Sequence, residues 1–152
     1  MRGVMAAPYR PRRRHVLRGV GALASLGASA WSGAAPLDEP VTPLLLSAGI
    51  DALGGPIQAS AAIVLELPSV AEDGALVPIT VTSPLPGTRE IVILVDVNPQ
   101  PVAARFLIPE GTDAFAATRI RMARSGTVLA AVRTDAGVFF ASRTAQVTVG
   151  GC

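Results

Sequence analysis

The sequence has no lysine, and it has one histidine (His15), one tryptophan (Trp31), one tyrosine (Tyr9) and one cysteine (Cys152). Each scarcity removes a class of chemistry. Without lysine there is no Schiff-base amine and no phosphate-cradling P-loop, and Gly54-Gly55-Pro56 lacks the Ser/Thr of such a loop as well. Beyond His15 no imidazole remains, so a His-dependent triad and a His/Cys zinc site are excluded from the rest of the chain. A single cysteine rules out an internal disulfide and a C-x-x-C redox pair. What is abundant is apolar: half of the 152 residues are hydrophobic, broken into short segments by 15 Gly and 13 Pro. That composition belongs to one folded domain and not to a disordered chain.

Charge is unevenly distributed. All 13 cations are arginine, and six of them (Arg2, Arg10, Arg12, Arg13, Arg14, Arg18) precede the first acid, Asp38. The seven remaining arginines face 11 carboxylates, so the chain beyond its N-terminus is acidic and the basic whole-chain pI does not indicate nucleic-acid binding. Arg13-Arg14-His15-Val16-Leu17-Arg18 has the twin-arginine pattern of an export signal. A weakly hydrophobic stretch follows to about residue 30, where Ala28-Ser29-Ala30 offers a small-residue cleavage site, with Ala34 or Ala35 as alternatives. The apolar run is about half the roughly 20 residues that a membrane span needs. Residues 1–35 are therefore expected to be a cleaved signal, with Arg13 and Arg14 as its motif and a periplasmic product that makes no stable membrane insertion; an uncleaved anchor is the alternative reading.

The remaining chain reads as one short helix and then strands. Thr42-Pro43 starts a helix, with Thr as cap and Pro at the first position, and Gly54-Gly55-Pro56 stops it; Leu46, Ile50 and Leu53 form its expected buried face. Residues 36–61 are thus linker and helix. The period then changes to two: Ile63, Leu65 and Leu67 alternate, as do Val77, Ile79 and Val81. Ile91 to Val97 is apolar on both faces up to Asp96, as in a central strand covered on both sides. Asn98-Pro99-Gln100-Pro101 is a turn, and strands follow around residues 106–108, 115–122, 127–134 and 138–149. About seven short strands with turn signals between them predict an immunoglobulin-like antiparallel β-sandwich over residues 62–149.

Few side chains in this pattern could carry chemistry. Asp38-Glu39 and Glu72-Asp73 read as solvated loop charges in preference to an acid/base pair or Ca²⁺ ligands. Arg119 and Arg121 share a strand face, with Arg124 just beyond, as either a solvent-facing row or a guanidinium patch for an anion or an acidic partner. No metal-binding set and no catalytic set is expected. The remaining feature is the C-terminus, Val149-Gly150-Gly151-Cys152. No chain follows that could hold Cys152 inside the domain, and Gly150 and Gly151 loosen the backbone before it. A lone thiol on such an arm pairs outside the chain or carries something.

These residues resemble a known family. Gln146-Val147-Thr148-Val149-Gly150-Gly151-Cys152 is similar to the C-terminal signature of SoxY, the sulfur-carrier subunit of bacterial Sox sulfur oxidation. The resemblance runs through Leu65-Glu66-Leu67-Pro68, Ala71-Glu72-Asp73-Gly74, Val77-Pro78-Ile79-Thr80-Val81, Asn98-Pro99-Gln100-Pro101 and Thr118-Arg119-Ile120-Arg121-Met122, so it covers roughly residues 44–152. It implies a non-enzymatic carrier without a cofactor, with Cys152 as the covalent attachment point on a Gly150-Gly151 arm (residues 150–152). It further implies a SoxZ-like partner in a heterodimer, and a c-type cytochrome, a sulfate thiohydrolase and a sulfane dehydrogenase that load and process the thiosulfate-derived sulfur. Two other readings stay open: a related carrier serving a quinoprotein dehydrogenase, and a non-catalytic immunoglobulin-like interaction module. The family motif carries two more glycines after the cysteine. Either the sequence is two residues short of that motif or this is a divergent carrier; in the second case the α-carboxylate on Cys152 itself is expected to raise the thiol pKa.

Overall fold

The computed structural model describes residues 41–148. The twin-arginine motif at Arg13 and Arg14, and the Gly150-Gly151-Cys152 arm, lie outside the described residues. The elements are α1 (Pro43–Leu53), β1 (Ile57–Ala59), β2 (Val64–Glu66), β3 (Val70–Ala71), β4 (Val77–Thr82), β5 (Thr88–Val95), β6 (Val102–Leu107), β7 (Phe115–Ile120), β8 (Gly126–Thr134) and β9 (Gly137–Val147). They form two sheets: a large one ordered β1-β9-β8-β5-β6, with β3 also paired to β9, and a small one ordered β2-β4-β7. The main pairings are antiparallel, as the alternation predicts for an immunoglobulin-like sandwich. Two short strands were not expected from the sequence. β1 runs parallel to the start of β9 at Val138–Phe140, and β3 runs parallel to its end at Gln146 and Val147. Strands of three and two residues are too short to show a period.

β5 explains the layering. Ile91 to Val95 are all fully buried, and successive side chains point to opposite faces. Ile91, Ile93 and Val95 face the small sheet, where Leu65, Val77, Ile79, Val81, Ala116 and Ile120 close the main core. Val92 and Leu94 face the other way and pack with Leu129, Ala131, Val138 and Phe140 beneath Leu45 and Leu53 of α1. The large sheet is therefore covered on both faces, and the continuous apolar run from Ile91 is the consequence.

Helix α1 begins and ends where its caps place it. Thr42 Oγ1 accepts the Leu45 N–H at 3.4 Å, and Gly54 turns left-handed at φ 73° while its N–H reaches the Ile50 carbonyl. Its buried face differs from the expected one. Leu45, Gly49 and Leu53 are buried, whereas Ile50 is 41% exposed and Leu46 is half-buried. Three consecutive leucines at residues 44–46 allow either phase, and Gly49 decides it. A Cβ there would come within 3.1 Å of Ile57 Cδ1, so the helix seats its glycine against β1.

One buried charge sits in this frame. Glu90, next to the apolar run of β5, is only 1% exposed. Its carboxylate lies between Arg105 Nε at 3.1 Å and Arg133 Nη2, which donates to Oε2. The Arg105 contact is off the N–H direction and is coulombic in character, since Oε1 accepts no aligned hydrogen bond. Arg105 also donates to the Ala52 carbonyl at 2.6 Å, which ties β6 to the C-terminal turn of α1. At the same end of the sandwich Arg89 makes a two-pronged contact with Asp135 at 3.0 and 3.1 Å and lies 3.5 Å from Glu110. The hydrogen bond from Arg89 holds the Asp135 carboxyl below its ordinary value, against a smaller opposing desolvation, and the same hydrogen bond raises the Arg89 guanidinium.

Candidate functional site: the root of the C-terminal segment

The chemistry-bearing residue of the sequence lies four residues beyond Thr148, so the site is built from whatever holds the end of β9. Two segments do this from opposite sides. On one side the Gln146 N–H bonds the Ser69 carbonyl at 2.8 Å and the Thr148 N–H bonds the Ala71 carbonyl at 3.0 Å, continuing the β3 pairing. On the other side Ser125 Oγ accepts the Val147 N–H at 2.9 Å and lies 3.5 Å from the Val147 carbonyl. The strand is thus hydrogen-bonded through Thr148.

The loop carrying Ser125 is itself pinned. Asn98 donates from Nδ2 to the Arg121 carbonyl at 2.6 Å and accepts the Ala123 N–H at 3.3 Å, so its side chain bridges the β5–β6 turn to residues 121–123. The Met122 N–H bonds the Gly74 carbonyl at 2.7 Å. Asp96 Oδ1 accepts the Thr127 N–H at 2.8 Å, and the Asp96 N–H returns to the Thr127 carbonyl. Two glycines make the approach possible: a Cβ on Gly74 would run into the Met122 carbonyl and the Val147 side chain, and one on Gly126 into Val97 and Asp96. Segments at residues 69–74, 96–98 and 121–126 therefore gather around the point where β9 ends.

The charged residues singled out from the sequence fall in different places. Asp73 closes its own turn by accepting the Ala75 N–H at 2.8 Å, and Glu72 is exposed, as solvated loop charges would be. Arg119 lies on the outer face of the small sheet, lining a shallow groove with Glu66, Pro78, Thr80 and Ala117. Arg121 is past the end of β7, on the segment that Asn98 holds, with Arg124 three residues further. All three are exposed, and among the described residues none has an ion-pair partner. Sequence reasoning did not single out Glu90 or Ser125. Glu90 could have been suspected as an acid directly preceding an apolar run, whereas Ser125 carries no sequence signal, because its partner is 22 positions away.

This arrangement positions the end of β9 and, among the described residues, offers no reacting pair. Asp73 and Asp96 are occupied by backbone amides, and among the described residues no group of His, Cys, Asp and Glu could hold a metal. Comparison with known proteins agrees with the fold. The family model for the sulfur oxidation protein SoxY matches residues 50–152. The solved structure of the sulfur carrier protein SoxY from Chlorobium limicola f thiosulfatophilum is similar at 33% identity and TM-score 0.62, covering 68% of this chain and 94% of that one. Superoxide reductase (neelaredoxin) from Ignicoccus hospitalis shares the fold alone, with 16% identity and TM-score 0.51 over 57% of this chain and 80% of that one. No curated protein matches. With the model spanning about two thirds of the chain, through the terminal cysteine, this chain belongs to the SoxY family.

Proposed function

We propose that this protein is a sulfur carrier in sulfur oxidation, with Cys152 as the covalent attachment point and Gly150-Gly151 as its tether. The observation that carries the reading is the anchored end of β9: the Gln146, Val147 and Thr148 amides are hydrogen-bonded to the sandwich, and Val149-Gly150-Gly151-Cys152 follows in the sequence. Four residues reach at most about 14 Å, enough to enter a narrow active-site channel from a docked domain. Loading with thiosulfate forms one S–S bond between the cysteine sulfur and the outer sulfur of the anion. The thiol proton is released and the electron pair passes to a c-type haem enzyme. A thiohydrolase then adds water, breaks the bond to the sulfonate and frees sulfate, which leaves a persulfide on Cys152. Sulfur bound to sulfur is reversible by reductant. The protein itself supplies no catalytic group in this sequence of steps.

In this reading residues 1–35 export the folded chain to the periplasm through Arg13-Arg14, together with a SoxZ-like subunit. Exposed Leu44 and Ile50 on α1, Val102 and Leu107 on β6, and Val64 and Phe115 on the small sheet give such a partner apolar surface to cover. Arg119 and Arg121 are available to an anionic sulfur group or an acidic partner. Intact-mass and peptide spectrometry on protein from thiosulfate-grown cells tests the carrier role: reductant-labile sulfur adducts on Cys152 support it, and a thiol that stays unmodified in such cells contradicts it.

A further inference from the structure

Packing holds the end of β9 only weakly: Gln146 and the following Thr148 are exposed, and Val147 packs half-buried against the core. Terminal strands fray by breaking the outermost hydrogen bonds first, and each lost bond adds a residue of free chain. Here the outermost bonds are reinforced from both edges. Ser69 and Ala71 hold Gln146 and Thr148 on one side, and the Ser125 hydroxyl holds Val147 on the other. Ser125 can do this only because its loop is fixed. Asn98 grips that loop with both ends of its amide, one donating to Arg121 and one accepting from Ala123, across 23 and 25 positions of sequence. Neither contact serves the core, since both side chains are at the surface.

From this geometry we infer that Asn98 and Ser125 are positioning residues for Cys152: together they form a clamp that fixes where β9 ends, four residues before the thiol. The inference rests on the carrier reading of Cys152. Its consequence is mechanical. With the end of β9 fixed, the thiol stays within the at most about 14 Å that four residues can span, and an enzyme docked on the collar of loops meets it within that reach. Fraying to residue 145 would nearly double the tether and spread the thiol over a much larger volume, which lowers its effective concentration in the channel.

Ser125→Ala and Asn98→Ala, made separately in the full chain with its partner subunit, test the clamp. Ser125 is exposed and Asn98 half-buried, and neither belongs to the core clusters, so thermal unfolding should move little. Amide hydrogen exchange of Gln146, Val147 and Thr148 should accelerate about tenfold in either variant, the effect of about one lost hydrogen bond. Enzymatic loading should show a several-fold higher KM for the carrier with kcat held. Alkylation of Cys152 by a small reagent in free solution should stay at the wild-type rate. Ser125→Thr, which keeps the hydroxyl, should restore both exchange and KM. Wild-type exchange at these three amides, or accelerated exchange with an unchanged KM, overturns the clamp. A Cys152→Ser control separates the two ideas: if that variant is still loaded, the carrier reading fails, and the exchange rates still judge the clamp.

Discussion

At the scale of single residues, the most consequential side chain outside the terminus is Glu90. A carboxylate that is nearly inaccessible survives in an apolar strand only because Arg105 and Arg133 flank it, and Arg105 extends the network to the Ala52 carbonyl of α1. Replacing both Arg105 and Arg133 by alanine leaves this buried carboxylate uncompensated; urea unfolding should show a loss of about 3–5 kcal/mol. Asp135 behaves differently, because its partnership with Arg89 is solvent-exposed. Its carboxyl is held below the ordinary value chiefly by the Arg89 hydrogen bond. The folded-state value being the lower one, the stabilising contribution is complete above the unfolded carboxyl range and is lost as pH falls through the lowered value. An NMR titration should place Asp135 below a typical aspartate, and Arg89→Ala should return it to the ordinary range.

At the scale of elements, α1 gives the sharpest contrast. Its limits were legible because Thr42, Pro43 and Gly54 act locally, but its buried face was not, because the leucines at residues 44–46 fit two phases and contact between Gly49 and Ile57 selects one. Leu45→Ala should therefore cost about 2–5 kcal/mol. Ile50→Ala, at a position the periodicity marked as buried, should stay within about 0.5 kcal/mol in the same denaturation assay. Long strands with an alternating or fully apolar pattern, β4 and β5 above all, were legible for the same local reason. β1 and β3 were not, since strands of three and two residues exist only as parallel additions to β9. The site divides in the same way. Gly150-Gly151-Cys152 stands out by residue type and family resemblance, whereas the collar of loops at the end of β9 depends on side chains such as Asn98 and Ser125 bonding across more than 20 positions.

At the scale of the whole molecule, the sandwich covers both faces of its large sheet and leaves apolar side chains on several outer surfaces: Leu44 and Ile50 on the helix, Leu107 on an edge strand, Phe115 on the small sheet. Expressed without a partner subunit, the domain should self-associate in sedimentation, and co-expression with a SoxZ-like chain should give a single heterodimer; a highly soluble monomer would count against that partner. The central claim concerns the sulfur atom of Cys152. Its most direct test is thiosulfate oxidation by cells whose only copy carries Cys152→Ser. The account predicts a normally folded and exported protein, no sulfur adduct and no thiosulfate-dependent turnover, whereas thiosulfate oxidation at the wild-type rate would contradict it.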